Sequence, residues 1–385
     1  MSAAALARIV RARVADEMAT ATTIRAEPTC TFDECQSRYR SAFLTRRHYD
    51  TVVADQTTVV RDENDRVLAV LIKAAVPGDY LLASPREGAP SLAEQLCTVA
   101  RVNDSRGAAA GRYDEAAMPE HIHRAPSYHV ASNGYIMYFR TASGATMKVA
   151  NRVLSGVFGY YLPKAHYGAT PRRCAYNRTD TRHERVTHDW APLLRAVATA
   201  VRTALPRVYA AQRRAVAPAH RAGFALEHTP YTTGTVNVNF RTGTHVDANN
   251  VAASLGNMLV LEPDMERSAQ SRFGGGLLVF PRYRVAIDAR HGDLVLMNVH
   301  EWHGNTAIRR SRAPSARAVT FSDATRAPRR VTLVLYARTD LIEHCQRNER
   351  ASAAGAKRAR MGATDDADDA EDGERASKRT RMHSE

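Results

Sequence analysis

Cysteine is sparse and unpaired in this chain. Cys30, Cys35, Cys97, Cys174 and Cys345 are scattered, odd in number and never spaced as CxxC. That argues against a disulfide framework and against a zinc site built on thiolates, and it leaves reduced, buried thiols. Long apolar runs are also missing. Charge interrupts each one within about a dozen residues, short of the ~20 that a membrane-spanning helix needs, so no membrane association is expected. The opening MSAAALARIVRARVADEM lacks the apolar core of a signal peptide and reads as a short helix. The expected compartment is intracellular. No internal repeat is visible.

Positive charge is abundant, with a formal net charge of +14. From Ala351 onward seven basic residues (Lys357, Arg358, Arg360, Arg375, Lys378, Arg379, Arg381) face eight acidic ones, so the tail is near neutral and the excess belongs to the body. A basic folded body fits a polyanionic partner, most simply nucleic acid. Arg- and Ala-rich usage from a GC-rich genome gives the same composition without one.

The organisation reads as α+β. Residues 1–45 are expected to be a helical and irregular N-terminal segment, with Cys30 and Cys35 in a loop. Residues 46–345 are expected to form one domain. There, TTVVRDENDRVLAVLIK reads as two strands around the turn DENDR. DWAPLLRAVATAVRTALPRVYAAQRRAV carries Leu193, Val197, Val201 and Leu205 at helical spacing and is broken or kinked at Pro206. From Tyr231 short strands follow with Gly and Asp-Gly punctuation (YTTGTVNVNF, LGNMLVLE, GGLLVFP, RVAID, GDLVLMNVH, RRVTLVLYAR), which predict a sandwich or jelly-roll core over about 230–340. Residues 346–385 are charged, of low complexity and without large apolar side chains, so disorder is expected.

The chemistry is carried by GTHVDANN, where His245 and Asp247 sit one residue apart after a strand. Alternation along a strand sends both to one face. Further on, GDLVLMNVHEWHGNT delivers His300 and His303 into a turn, and one of them completes a two-His, one-carboxylate set. Such a facial triad leaves positions open and suits non-haem Fe(II) oxygenases. A late strand, RRVTLVLYAR, opens on Arg329 and Arg330, with Arg330, Thr332 and Val334 on one face. An Arg fork there matches the distal carboxylate of a 2-oxoglutarate cosubstrate. The order fits an Fe(II)/2-oxoglutarate dioxygenase on a double-stranded β-helix. Taken singly, each residue also reads as an ordinary turn, core or edge position. A zinc hydrolase is the chemical rival; it needs no late Arg, and Glu301 is its nearest general base.

These segments, together with TTVVRDENDRVLAVLIKAAVP and SRGAAAGRYD, resemble the TET/J-binding-protein family of Fe(II)/2-oxoglutarate dioxygenases, over roughly Tyr49 to Cys345. The resemblance implies His245, Asp247 and His303 as iron ligands and Arg330, rather than Arg329, as the 2-oxoglutarate residue. The interval SRAPSARAVTFSDATRAP between His303 and Arg330 is longer than in many members. The implied cofactors are Fe(II), 2-oxoglutarate and O2, with ascorbate as a candidate reductant. The implied substrate is the 5-methyl group of a pyrimidine in DNA, flipped out of the duplex, with 5-methylcytosine slightly favoured over thymine. Asn249, Asn250, Asn239 and Asn237 are candidate contacts to base or cosubstrate. The tail clusters KRAR and SKRTR suit a nuclear import receptor, hence a nuclear address. The alternatives are the same iron core acting on RNA or protein, and a non-catalytic DNA-binding module.

Overall fold

A computed structural model describes residues 1–163, 170–265, 272–313, 315–326 and 328–354. Residues 346–354, expected to be disordered, are helical, and Arg221 Nε donates to Glu349 Oε1 at 2.8 Å; the rest of the expected disordered tail and the two basic tail clusters lie outside the described residues. Among the described residues the fold is mixed α+β, and its centre is a ten-stranded sheet. The strands run in the order Thr22–Arg25, Thr58–Arg61, Val67–Ile72, Leu294–Met297, Gly256–Leu261, Val331–Tyr336, Thr233–Val238, Val153–Tyr161 and Arg172–Arg173, with Arg101–Asn103 also on Val153–Tyr161. A four-stranded sheet comprises Gly304–Asn305, Leu278–Phe280, Val285–Ile287 and Thr51–Val53.

Alternation along the central strands builds two cores. Val70, Ile72, Leu259, Leu261, Leu294, Leu296, Leu333 and Leu335 point to one side and meet the helices. Leu71, Met258, Val260, Val295 and Met297 point to the other and meet Leu278, Phe280, Val285 and Ile287 of the small sheet. The two sheets therefore enclose a second apolar layer. Strands buried on both faces are near-continuously apolar, as LVLM and VLAVLI are.

The helix Ala3–Ala19 buries Leu6, Val10 and Val14, spaced by four, and Ser2 caps it by accepting from the Ala5 N–H. Its apolar stripe joins the same core as Leu193, Val197 and Val201 of the helix Ala191–Ala204. At Pro206 the chain breaks rather than kinks: Leu205 leaves helical geometry, and a second helix, Pro206–Arg221, starts with Pro at its first position.

Residues 1–45, whose packing the sequence leaves open, join this fold. Thr22–Arg25 adds a parallel edge to Thr58–Arg61. Cys35 lies in the helix Phe32–Tyr39, closed by a Thr31–Glu34 capping box, instead of in a loop. All five cysteines are free thiols. The hairpin around DENDR forms as expected between Thr58–Arg61 and Val67–Ile72.

Candidate metal centre

The cavity lies between the two sheets, on the face of the central sheet away from the helices. Thr235 and Asn237, Gly256 and Met258, and Thr332, Val334 and Tyr336 line it from three adjacent strands, while Leu278 and Asn305 line it from the small sheet. Its volume is about 450 Å³.

His245, Asp247 and His303 meet on its wall. One ligand atom from each lies within 4.8 Å of the others. His245 is not on a regular strand; it forms an isolated antiparallel bridge with His303, whose backbone N–H donates to the His245 carbonyl at 3.0 Å and whose carbonyl accepts from the His245 N–H at 2.9 Å. The Asp247 N–H donates to Val299 O at 2.9 Å. Long-range backbone pairing thus fixes all three side chains. Gly243 lets the Gly111 loop pack against the segment that carries His245, since a β-carbon there would stand 2.6 Å from Gly111 Cα. His300 does not line the cavity.

Both imidazoles are oriented by carbonyls. Nδ1 of His245 lies 2.8 Å from Gly243 O, and Nδ1 of His303 lies 2.9 Å from Glu301 O. A carbonyl only accepts, so each Nδ1 carries the proton and each Nε2 keeps its lone pair for the centre. His245 Nε2 is 3.5 Å from Asp247 Oδ1. Burial pushes His303 down to about 4, with the neighbouring His245 adding to it, so its neutral form prevails. For Asp247 burial acts upward, but its neighbours, His245 first and then His303 and Arg106, hold the carboxyl well below its usual range, so it is the anionic member of the set. Two neutral nitrogens and one carboxylate suit a divalent iron with open positions.

Arg330 enters the same cavity from the start of the Val331–Tyr336 strand. It is 3% exposed, and its Nε and Nη2 are buried without a partner. Burial lowers it to about 10, which leaves it charged at neutral pH. An unpaired buried guanidinium is costly, so this corner is built for an anion. Arg329 is spent elsewhere, forked onto Asp264 with Nε at 3.0 Å from both carboxylate oxygens. Glu301 is spent as well: Oε2 accepts from Arg282 at 2.9 Å and Oε1 from the Trp302 N–H at 2.8 Å. A hydrolase general base is therefore absent at that position. Trp302 is buried against Phe32, with centroids 5.5 Å apart.

Among the asparagines, Asn237, Asn249 and Asn250 line the cavity and Asn239 does not. Asn239 departs from the expected substrate contact. The strand ends at Val238, Asn239 takes a left-handed φ of 46°, and its side chain turns toward Ala324, Pro328 and Arg330. Asn250 Oδ1 accepts from the Val251 and Ala337 N–H groups, while its buried Nδ2 is unpartnered. Asn249 accepts from the Asp340 N–H at 3.1 Å. The sequence reading left out Arg106, Asn305, Tyr336 and Arg338, all of which line the cavity. Continuing the alternation that starts at Arg330 reaches Tyr336 and Arg338, so that signal was present; Arg106 lay in the quoted loop SRGAAAGRYD.

A family model described as the oxygenase domain of the 2OGFeDO superfamily, Tet_JBP, matches residues 160–339. That span contains His245, Asp247, His303 and Arg330. The match covers just under half of the chain. Among curated proteins, similarity is found to Thymine dioxygenase JBP1-A of Trypanosoma cruzi, 29% identical over 43% of this chain and 18% of that protein. Thymine dioxygenase JBP1 of Crithidia fasciculata is 26% identical over 63% of this chain and 26% of that protein. The chain thus spans about a quarter or less of the relatives it matches. A solved structure, NgTET1 in complex with 5mC DNA, aligns over 88% of this chain and 92% of that one with a TM-score of 0.44 and 8% identity. The Tet_JBP match begins inside the Val153–Tyr161 strand, so Arg106 and the helix Ala3–Ala19 lie upstream of it. No helix among the described residues is long and apolar enough to cross a membrane.

Proposed function

We propose that the chain is an Fe(II)- and 2-oxoglutarate-dependent dioxygenase that oxidises the 5-methyl group of a pyrimidine in DNA to hydroxymethyl. The observation that carries this reading is Arg330: two buried, unpaired N–H atoms in the same cavity as a His–Asp–His cluster. A hydrolytic metal site has no use for that cation, whereas a dicarboxylate cosubstrate does. In this reading the facing sheets are a double-stranded β-helix core.

His245, Asp247 and His303 would hold the iron, and Arg330 would hold the far carboxylate of 2-oxoglutarate. With O2, the bound iron and cosubstrate supply the oxidant for a C–H bond. The chain's residues do the rest. The Gly243 and Glu301 carbonyls keep both imidazoles in the ligating tautomer. Met258, Leu278 and Val334 exclude water from the floor. Asn249, Asn250, Tyr336 and Arg338 offer polar groups at the wall for an extruded base. The relatives named as thymine dioxygenases support thymine as a substrate beside 5-methylcytosine. The KRAR and SKRTR clusters support nuclear delivery through an import receptor.

The test is mass spectrometry of nucleosides after incubating the protein with Fe(II), ascorbate and 2-oxoglutarate. Thymine-only and 5-methylcytosine-containing DNA are supplied separately. A hydroxymethyl product from one DNA, lost in His245→Ala, names the base. No product from either DNA, with iron and 2-oxoglutarate bound, discards the DNA-methyl substrate and turns attention to RNA.

A further inference from the structure

We propose that the outer face of a small three-stranded sheet, Tyr128–Val130, Met137–Arg140 and Thr146–Val149, is a second contact for DNA and binds phosphates of the duplex outside the catalytic cavity. This rests on the reading of the chain as an enzyme that acts on DNA.

The sheet lies within a stretch that holds no carboxylate: between Glu120 and Asp180 there is neither Asp nor Glu. Arg124, Arg140, Lys148, Arg152, Lys164, Arg172, Arg173 and Arg178 fall in that interval, and of these Arg124 is ion-paired to Glu120. The strand register pairs Tyr128 with Phe139 and Phe139 with Met147, and pairs His129 with Tyr138 and Tyr138 with Lys148. Alternation then sorts the two faces. Val130, Met137, Phe139 and Val149 turn inward onto Met118 and Ile122, so that face is occupied. His129, Tyr138, Arg140 and Lys148 share the other face, where His129, Arg140 and Lys148 are exposed. Neither Arg140 nor Lys148 has an acidic partner among the described residues.

The chemistry of the face selects phosphate over a stacked base. His129 lies on the Tyr138 ring, with centroids 5.5 Å apart and planes 24° apart, so one ring face is already covered. What remains is a row of N–H and O–H donors flanked by two exposed cations. Such groups position a nucleic acid by its backbone, whereas free aromatic planes bind unpaired bases.

The sheet is also tied to the catalytic cavity. Ser105 and Arg106 line that cavity and lead into the loop that anchors the sheet. Along this loop the Tyr113 N–H donates to Gly134 O at 2.8 Å, and Asn151 Nδ2 donates to Ala110 O at 3.0 Å and Arg112 O at 2.6 Å. Arg40 Nη2 donates to Tyr135 Oη at 3.0 Å. In this proposal a duplex that delivers a base to the cavity reaches the sheet along that loop.

The experiment uses the full chain and a fluorescent, unmethylated duplex, with Kd measured over a salt series. Wild type, Arg140→Ala/Lys148→Ala and the charge-keeping Arg140→Lys/Lys148→Arg are compared. Each phosphate contact contributes about one to the slope of log K against log salt. The alanine pair is expected to lower that slope by about two and to weaken binding several-fold at low salt. It should raise KM for a methylated duplex at unchanged kcat, and the charge-keeping pair should retain wild-type values. An unaltered slope and KM in the alanine pair overturns this surface while leaving the catalytic reading intact. Loss of poly-glutamate binding with an unaltered duplex slope assigns the face to an acidic protein instead. Failure of the wild type to bind any duplex or oxidise any DNA overturns the DNA reading itself, and this surface with it.

Discussion

Asn239 holds Arg330 by the backbone: its Oδ1 accepts the Arg330 N–H at 2.7 Å, and its Nδ2 donates to Ala324 O and Pro328 O, each at 3.2 Å. One buried amide thereby fastens the long interval before Arg330 to the end of the Thr233–Val238 strand. The guanidinium's place in the cavity follows from that clamp.

Asn239→Ala should therefore act on the cosubstrate more than on the chemistry. Leaving a buried N–H and two carbonyls unpaired costs about 1–3 kcal/mol each at most. The expected result is a 2-oxoglutarate KM raised about tenfold or more with a smaller fall in kcat. Steady-state kinetics varying 2-oxoglutarate at saturating DNA checks it. A pure kcat loss would contradict the clamp.

The two neighbouring arginines should separate cleanly. Arg330→Met is expected to abolish measurable 2-oxoglutarate binding, because breaking a buried charge pair costs about 2–5 kcal/mol. Arg329→Met leaves the cavity untouched and frees Asp264, so 2-oxoglutarate affinity should stay within about twofold while the thermal midpoint falls. Calorimetric titration of the Fe(II) protein under anaerobic conditions distinguishes them. Equal losses would show that the pair acts as one unit.

Packing of the N-terminal helix is testable by Leu6→Ala. Leu6 is fully buried in the core shared with the helix Ala191–Ala204. Truncating a buried leucine costs about 2–5 kcal/mol. Urea unfolding should show that loss in one cooperative transition. An unchanged midpoint would mean that residues 1–19 are dispensable to the core.

Acid should destabilise through His291. Its Nδ1 accepts the Glu262 N–H at 2.9 Å, and burial lowers its pKa from the ordinary histidine value. A depressed folded pKa contributes stability that is complete above the unfolded value, near 6.5, and is lost as pH falls through the folded value. The wild-type thermal midpoint should drop more steeply below about pH 6.5 than that of His291→Gln. Parallel curves would remove His291 from the acid response.

Much of the fold could be read locally. Short apolar runs punctuated by Gly and Asp-Gly located the central strands, because a strand buried on two faces needs apolar side chains on both. Four-residue spacing marked Leu193, Val197 and Val201. The same spacing is present in Leu6, Val10 and Val14, but a stripe does not say what it packs against. The pattern from His245 to Asp247 named a candidate pair by itself. Which histidine joins them was settled by a backbone bridge between residues far apart in the chain, which places His303 within 4.8 Å of the other two and leaves His300 off the cavity. Arg329 and Arg330 are alike as letters; Asp264 takes one and the interior leaves the other unpaired. Composition and periodicity depend on near neighbours, so the sequence by itself determined strands, helix stripes and the metal-binding chemistry on offer. Burial, pairing and the direction of a charge depend on residues brought together from a distance, and those only the tertiary structure decided.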